Sequence, residues 1–541
     1  MLVCSPESSR VTNLIINTAI DAKIGEIPYS EGSRFTPDKC CLPGTRTAFL
    51  DFIVNWVNDP TSERILVLCG LAGSGKSSIA HEIARRFDEM HRLTSSFIFV
   101  RKEKSKNEAY HLFTNLARDL ADRYPLFKTA LGKAIKDNTS LRRSTRDYAT
   151  LFQRLIREPL KDLHIVGPIL VVIDALDESG DATGDSGLHK FLANNLSSLP
   201  SNFRVLITSR PENGIESTFL EAESVIVKHM NDPDLAATTH DDILTFLRKM
   251  LLSYGLEQES EALARRAEGL FQWAAVACGY ILEPKPVRSR KGRIQHLLNT
   301  AADGQDPLTE LYKGVLREYF SDEEAQSLFC SVVGLLLAAF EPLSIRSLTT
   351  LRQHTFDDND NDPNSVVETL RFLGSLLTNV TSSDDTLPIV PLHTSFRDFV
   401  TNQKKSGIFY VDLRVSHCQL AHSCAGLMLN DLRFNICNLE SSYLANKDVR
   451  DLDERIANHL PPALSYACCS WDDHLGHLDF DSDLFVKLQT FFKTKFLFWL
   501  EALSLISGVG LASAALSSLS IWLGPDHQVS TTLDLMTKKN N

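Results

Sequence analysis

The sequence predicts an α/β domain built on a five-stranded parallel sheet, followed by helical domains, and three observations carry that expectation. Five short runs, Ile65–Cys69, Ser96–Arg101, Ile169–Asp174, Arg204–Thr208 and Ser224–Val227, are apolar and rich in β-branched residues or Phe. Amphipathic stretches at helical spacing separate them, and strands that alternate with helices build a parallel sheet covered on both faces. The first run leads into Gly70-Leu71-Ala72-Gly73-Ser74-Gly75-Lys76-Ser77, which satisfies G-x-x-x-x-G-K-[ST] at every fixed position and opens onto the amphipathic segment Ser77–Met90.

A chain of 541 residues exceeds what one hydrophobic core holds, so several domains are expected. Residues 1–41 form an N-terminal arm, weakly patterned as far as residue 35 and read as mobile. From Leu42 a Pro-Gly turn gives way to helical spacing, and the nucleotide-binding domain runs over 42–230. After Val227 the strands stop. Ile243–Leu252 and Glu261–Ile281 read as helices of a domain over 231–305, which ends in the Pro/basic linker Pro284–Arg293. Leu308–Phe320, Glu323–Phe340 and Ser344–Arg352 again read as helices, and the apolar piece Pro388–Leu392 precedes another. Helices followed by a small strand pair predict a winged-helix domain over 306–405, with an all-α region over 406–541. No internal repeat of the kind that builds solenoids is found.

Composition removes several classes of function. The net charge of −12 and the lack of a basic excess exclude a protein whose main task is neutralising nucleic-acid phosphates, so no nucleic-acid partner is expected. The cluster Arg288, Arg290, Lys291 and Arg293 reads as a solvated helix flank. Eleven cysteines include the adjacent pairs Cys40–Cys41 and Cys468–Cys469 but no C-x-x-C, so neither zinc spacing nor a disulfide framework is legible. The start, MLVCSPESSR, lacks the basic and apolar regions of a secretory signal, and reduced thiols point to the cytoplasm. Ala502–Pro525 holds no charged residue, and about 36 Å of helix at that length could span a bilayer. Six serines and the interruptions at Gly508 and Gly510 favour a buried pair of short helices, and membrane contact is not expected.

The glycine-rich segment has a definite chemistry. Glycines let consecutive backbone N–H groups turn inward on a phosphate, and the helix after the loop adds its positive N-terminal pole. In such a P-loop, Lys76 bridges the β- and γ-phosphates and the Ser77 hydroxyl holds Mg²⁺. The bare pattern arises by chance in roughly one chain of this length in fifty, and the strand before and helix after it lower that further. Ile169–Asp174 is a hydrophobic strand that ends in a carboxylate, so Asp174 can reach Mg²⁺ beside Ser77. Asp177 or Glu178, just beyond, could orient an attacking water. The order of the runs resembles the additional-strand class of P-loop ATPases, in which the strand after the second motif lies between the two motif strands. Thr208, Ser209 and Arg210 then stand beside the phosphates, where Arg210 can sense the γ-phosphate.

With these residues in place, the chain resembles the NACHT family of STAND-class signalling NTPases, in particular fungal NOD-like-receptor and heterokaryon-incompatibility types with a nephrocystin 3-like N-terminal NTPase domain. The segments that carry the resemblance are GLAGSGKSS (Gly70–Ser78), VVIDALDES, RVLITSRPE, AEGLFQWAAVAC, EPLSI at 341–345, LHTSFRDFV at 392–400 and FLFWLEALSL at 496–505. The resemblance implies that Gly70, Ala72, Gly73, Ser74, Gly75, Lys76, Ser77 and Ser78 bind the nucleotide phosphates, with Ser77 and Asp174 as Mg²⁺ ligands. It implies catalytic roles for Asp177 and Glu178, a sensor role for Arg210, and contact of His393 with the β-phosphate of ADP in a closed state. Gly44-Thr45-Arg46 resembles the segment that lines the base. Two departures stand out: no Gly-x-Pro lies near Phe271, and neither an effector domain nor a repeat sensor is present in the chain, which is read as truncated or as a module that borrows its sensor.

The expected function is a slow NTPase acting as a switch, with ATP/ADP (or GTP/GDP) and Mg²⁺ as cofactors. It is closed with diphosphate, and it self-associates through the NTPase domain with triphosphate to signal to an unidentified sensor or effector. An AAA-like ATPase with steady turnover and a membrane-tethered scaffold using Ala502–Gly524 remain as alternatives. Two metal-like signals are set aside. The acidic loop at 357–364 lacks the glycine of a calcium loop, holding Asp362 and Pro363 there. His474 and His477 near Asp472, Asp473 and Asp479 read as a surface cluster.

Overall fold

The computed structural model describes residues 20–100, 108–137, 147–161, 163, 165, 167–180, 187–211, 214–283, 288–299, 306–354, 363–441 and 443–537. The acidic loop at 357–364 falls outside them except at its last two positions. The chain divides into two compact units, residues 1–275 and 276–541.

The first unit is a parallel sheet of β1 (Ile65–Cys69), β2 (Leu93–Ile98), β3 (Ile169–Asp174), β4 (Phe203–Ser209) and β5 (Val225–His229) in the order β2-β3-β4-β1-β5. The strand after the second motif, β4, lies between the two motif strands and pairs in register with both. That is the expected topology. Side chains alternate across each strand, so Ile65, Val67 and Cys69 enter one core while Leu66 and Leu68 enter the other. Val171 and Ile173 of β3 and Val205 and Ile207 of β4 repeat the alternation, which is why these runs read as continuously apolar. Helices α1 (Thr47–Asn58) and α2 (Lys76–Glu89) pack on the face of Leu66 and Leu68, and α3 (Ala109–Arg123) packs on the other. The second strand begins at Leu93, three residues before the expected Ser96, and Arg101 lies outside the described residues.

The N-terminal arm is docked over residues 20–41, not mobile. Ile24 and Ile27 are buried in the core of α3. The Ile98 N–H donates to Ser33 O at 2.8 Å, so the arm covers part of the sheet edge. Fully buried Asn115 accepts from the Ser30 N–H (2.9 Å) and donates to Ser30 O (3.1 Å) and Ser33 Oγ (2.8 Å). The Thr36 N–H donates to His81 Nδ1 at 2.8 Å. Most of these hydrogen bonds use the arm's backbone groups, which leave no periodicity in the sequence.

The first unit also holds α4 (Thr239–Leu252), and the boundary between the units falls within α5 (Phe271–Leu282). The second unit is helical throughout, with α6 (Pro307–Tyr319), α7 (Glu323–Ala338), α8 (Thr394–Val400), α9 (Leu413–Asp431), α10 (Pro462–Leu475), α11 (Ser482–Thr494), α12 (Phe496–Leu505) and α13 (Leu511–Thr537), the last broken at Gly524. Antiparallel bridges join Ser344 to Pro388 and Leu377 to Pro391. In FLFWLEALSL, Trp499 is buried and its indole N–H donates to Cys468 O at 2.9 Å.

Two expectations change. Arg293 is a core residue and not a solvated flank: it is fully buried and donates to the carbonyls of Tyr280 and Glu283. His474 is likewise buried, facing His417 Nδ1 at 2.8 Å and Tyr466 OH at 2.8 Å, so it belongs to a polar core and not to the surface. No helix among the described residues is long and apolar enough to cross a membrane. The described cysteines are all free thiols.

Asn115 holds three polar groups of the arm that water does not reach. Asn115→Ala should lower the unfolding free energy of the first unit by about 1–3 kcal/mol and expose residues 20–41 to protease. Urea unfolding with timed proteolysis reads both, and wild-type cleavage kinetics would contradict the docking role.

Candidate functional site

Strand β1 delivers the chain to Gly70, whose N–H donates to Ser209 O at 3.3 Å. The loop then turns through Gly73 (φ 80°) and Gly75 (φ 94°), both in the left-handed region where side chains are strained. Close approach adds a second constraint. A Cβ on Gly70 would lie 2.6 Å from Met230 Cγ, and one on Gly73 would lie 2.6 Å from Gln272 Cβ. The turn brings the loop amides to the N-terminus of α2, an arrangement suited to a polyphosphate.

Lys76 is buried and folds back on the loop, donating to Gly70 O at 2.7 Å and Leu71 O at 2.9 Å. Burial pushes its pKa below the usual lysine value, while the charges of Asp177 and Asp174 oppose that shift and Arg210 reinforces it. Lys76, Asp174, Asp177 and Arg210 are therefore one electrostatic cluster. Ser77 is exposed on the first turn of α2, Ala72 and Ser78 are half-buried, and Ser74 Oγ donates to Leu71 O at 2.9 Å.

The carboxylates come from β3 and the turn after it. Asp174 is buried at the strand end, where Oδ1 accepts from Thr208 Oγ1 at 2.5 Å. The same hydroxyl accepts the Ala175 N–H at 2.9 Å, which locks the strand end against β4. Ala175 takes a left-handed turn (φ 57°) and sets Asp177 facing Arg210. Asp177 Oδ1 accepts the Arg210 N–H at 3.0 Å, and Oδ2 lies 3.2 Å from Arg210 Nε. The residue expected to orient water and the residue expected to sense phosphate are thus partners. Glu178 is buried one position further on.

Arg46 is more deeply engaged than its place in the sequence suggests. It is buried at the start of α1, donates to Ser74 O at 2.5 Å and to Thr239 Oγ1 at 2.8 Å, and lies over the Phe271 ring at 4.6 Å. Burial lowers its pKa, against the pull of Asp242. The Gln272 N–H donates to Gly73 O at 3.1 Å, so Gln272, beside Phe271 where no Gly-x-Pro was found, contacts the loop. Met230 and Thr239 escaped the sequence reading, since each contributes through chain geometry and not through a motif, and Gln272 lies in AEGLFQWAAVAC without having been given a role.

His393 lies in the second unit and caps α8, its Nδ1 accepting the Ser395 N–H at 3.1 Å and facing Ser395 Oγ at 2.7 Å. The Ser395 hydroxyl also meets Tyr312 OH at 2.8 Å.

The residues of the first unit fit a nucleotide. At Gly70 and Gly73 the loop leaves no room for a side chain, and Lys76 places a buried ammonium at the loop. Ser77 and Asp174 offer the hard oxygen donors that Mg²⁺ requires. Residues 44–210 match the family model for the nephrocystin 3 N-terminal domain, a span that begins just before Arg46 and ends at Arg210. The vegetative incompatibility protein HET-E-1 of Podospora anserina is 28% identical over 285 residues, covering 48% of this chain and 20% of that protein. The chain thus matches about a fifth of that relative's length. Among solved structures, a STAND protein with a tetratricopeptide repeat sensor from Pyrococcus horikoshii is 16% identical with a TM-score of 0.39, covering 95% of this chain and 67% of that one. Cdc6p of Pyrobaculum aerophilum is 14% identical with a TM-score of 0.25, covering 71% and 94%.

Gly73 tests the loop without touching a charge. Gly73→Ala places a Cβ against Gln272 in a strained conformation, and should weaken ATP binding at least tenfold, about 1.4 kcal/mol. Calorimetric titration measures this, and unchanged affinity would show that the turn does not shape the site.

Proposed function

We propose that this chain, which carries a P-loop NTPase domain of the NACHT, STAND-class kind, is a nucleotide-dependent signalling switch. The observation that carries the reading is the Asp177–Arg210 pair beside Lys76. Both cations rest on oxygen atoms of the protein, Lys76 on two loop carbonyls and Arg210 on a carboxylate. Asp177, the candidate for orienting water, is held by both the backbone and the side chain of Arg210. Such an arrangement suits a resting state better than steady turnover.

In this reading Lys76 leaves the loop carbonyls for the β- and γ-phosphate oxygens of ATP, and Arg210 turns from Asp177 to the γ-phosphate. Ser77 and Asp174 would hold Mg²⁺, which supplies charge neutralisation at the phosphates. Asp177, released from Arg210, then positions water together with Glu178, so hydrolysis comes after sensing and resets the switch. A change from mostly closed to mostly open needs about 5.5 kcal/mol of differential affinity, and moving two buried cations onto a triphosphate is a source of that size. His393 favours the diphosphate state. The open state self-associates through the NTPase domain and signals to a sensor or effector protein in the cytoplasm. Its setting is a NOD-like-receptor type of role in fungal recognition or programmed cell death.

The protein purified without added nucleotide and then denatured should release ADP at close to one equivalent, and turnover should fall well below about 1 s⁻¹. Faster steady turnover would instead mark an AAA-like remodelling ATPase. Lys76→Ala should abolish nucleotide binding. His393→Ala should retain ATP binding while releasing ADP at least tenfold faster, and wild-type ADP retention in that variant would remove His393 from the switch.

A further inference from the structure

Away from the phosphate loop, one group of side chains combines three different donor atoms. Cys418 and His422 lie four residues apart on α9 and so share one helix face. Asp481 caps α11, and its Oδ1 accepts the N–H groups of Asp483 (2.9 Å) and Leu484 (2.8 Å). That fixes the carboxylate and leaves Oδ2 toward α9, 3.4 Å from His422 Nε2 and 3.9 Å from Cys418 Sγ. The sulfur, nitrogen and oxygen all lie within 4.8 Å of one another, and all three residues are partly accessible.

These separations are long for hydrogen bonds between such groups but close to the edges of a metal tetrahedron. Bonds of about 2.0 Å to N and O and 2.3 Å to S place neighbouring ligand atoms roughly 3.3–3.5 Å apart. Contraction of the two separations to Asp481 Oδ2 by a few tenths of an ångström, within rotamer adjustment, would bring them to those edge lengths. A thiolate and an imidazole select against Mg²⁺ and Ca²⁺, which take oxygen ligands, and favour Zn²⁺ among the abundant dications.

We propose that Cys418, His422 and Asp481 bind one Zn²⁺, with the fourth position open to water. Binding forms the Sγ–Zn bond as the Cys418 thiol releases its proton to solvent, and neutral His422 donates the Nε2 lone pair. The ion joins the middle of α9 to the first turn of α11 and so stabilises the second unit by linking segments about sixty residues apart in sequence. Zinc spacing was not legible because the two ligands on α9 form a C-x-x-x-H that is common by chance, and the third lies on another helix. The site is independent of the phosphate loop, and its fate does not depend on the switch.

The test uses the full chain, freed of nucleotide and chelated metal, titrated with Zn²⁺ and separately with Co²⁺. Wild type should take up one equivalent, and Co²⁺ should produce a thiolate-to-metal charge-transfer band with the strong visible absorption of tetrahedral cobalt. Cys418→Ala and His422→Ala should each lower Zn²⁺ affinity at least about 100-fold. Asp481→Asn, which keeps the helix cap, should lower it about tenfold, while Cys469→Ala leaves it unchanged. Absence of the charge-transfer band in wild type, or wild-type affinity in both the Cys418 and His422 variants, would overturn the site. The cobalt band is read on the unaltered protein, so a misfolded variant cannot obscure the result.

Discussion

Buried positive charge that must find oxygen governs the first unit. Lys76, Arg46 and Arg210 all sit where water barely reaches, and an isolated buried cation is prohibitively unstable. Each is held differently. Lys76 takes two loop carbonyls, Arg46 takes the Ser74 carbonyl, the Thr239 hydroxyl and the face of Phe271, and Arg210 takes Asp177. The Arg210 side chain pairs directly with a carboxylate. Lys76 and Arg46 rest on neutral dipoles, which is why burial depresses both of their pKa values. A site that keeps cations in this condition is preorganised for an anion, because charge-assisted bonds to phosphate oxygens are roughly twice as strong as those to neutral acceptors.

That constraint explains which parts of the fold the sequence makes legible. The five strands are legible because a strand buried on both faces must be apolar at every position, while the place of β4 between the two motif strands came from the resemblance to the additional-strand class of P-loop ATPases. The Thr208–Asp174 bond at 2.5 Å is the physical content of that order. Lys76, Asp174 and Arg210 were legible because each stands at a fixed offset from a strand end. The docked arm was not: its polar stretch Ser30–Ser33 is held by Asn115 through backbone groups, and backbone groups are the same in every sequence. Arg293 and His474 misled for the opposite reason, since their charge and polarity suggest solvent while carbonyls and a histidine–tyrosine network satisfy them in the core. The depth of Arg46 and the role of Gln272 arise from chain paths far apart in sequence, and no spacing encodes them.

The loop is also tied mechanically to the two helices α4 and α5, which come after the last strand. Arg46 joins Ser74 to Thr239 at the start of α4, and the Gln272 N–H at the start of α5 donates to Gly73 O. Gly73 has no room to move toward Gln272, because even a methyl group there would lie within 2.6 Å. The carbonyls of Gly73 and Ser74, adjacent along the loop, therefore bind two different helices. A phosphate that reorients these peptides must strain or break both bonds, and each is worth about 1 kcal/mol, more for the charged Arg46. A helix transmits a displacement of its first turn along its length because its hydrogen bonds run parallel to the axis. In the proposed switch, a change in loop conformation would therefore act on the first turns of α4 and α5, where the phosphate loop grips chain beyond the sheet.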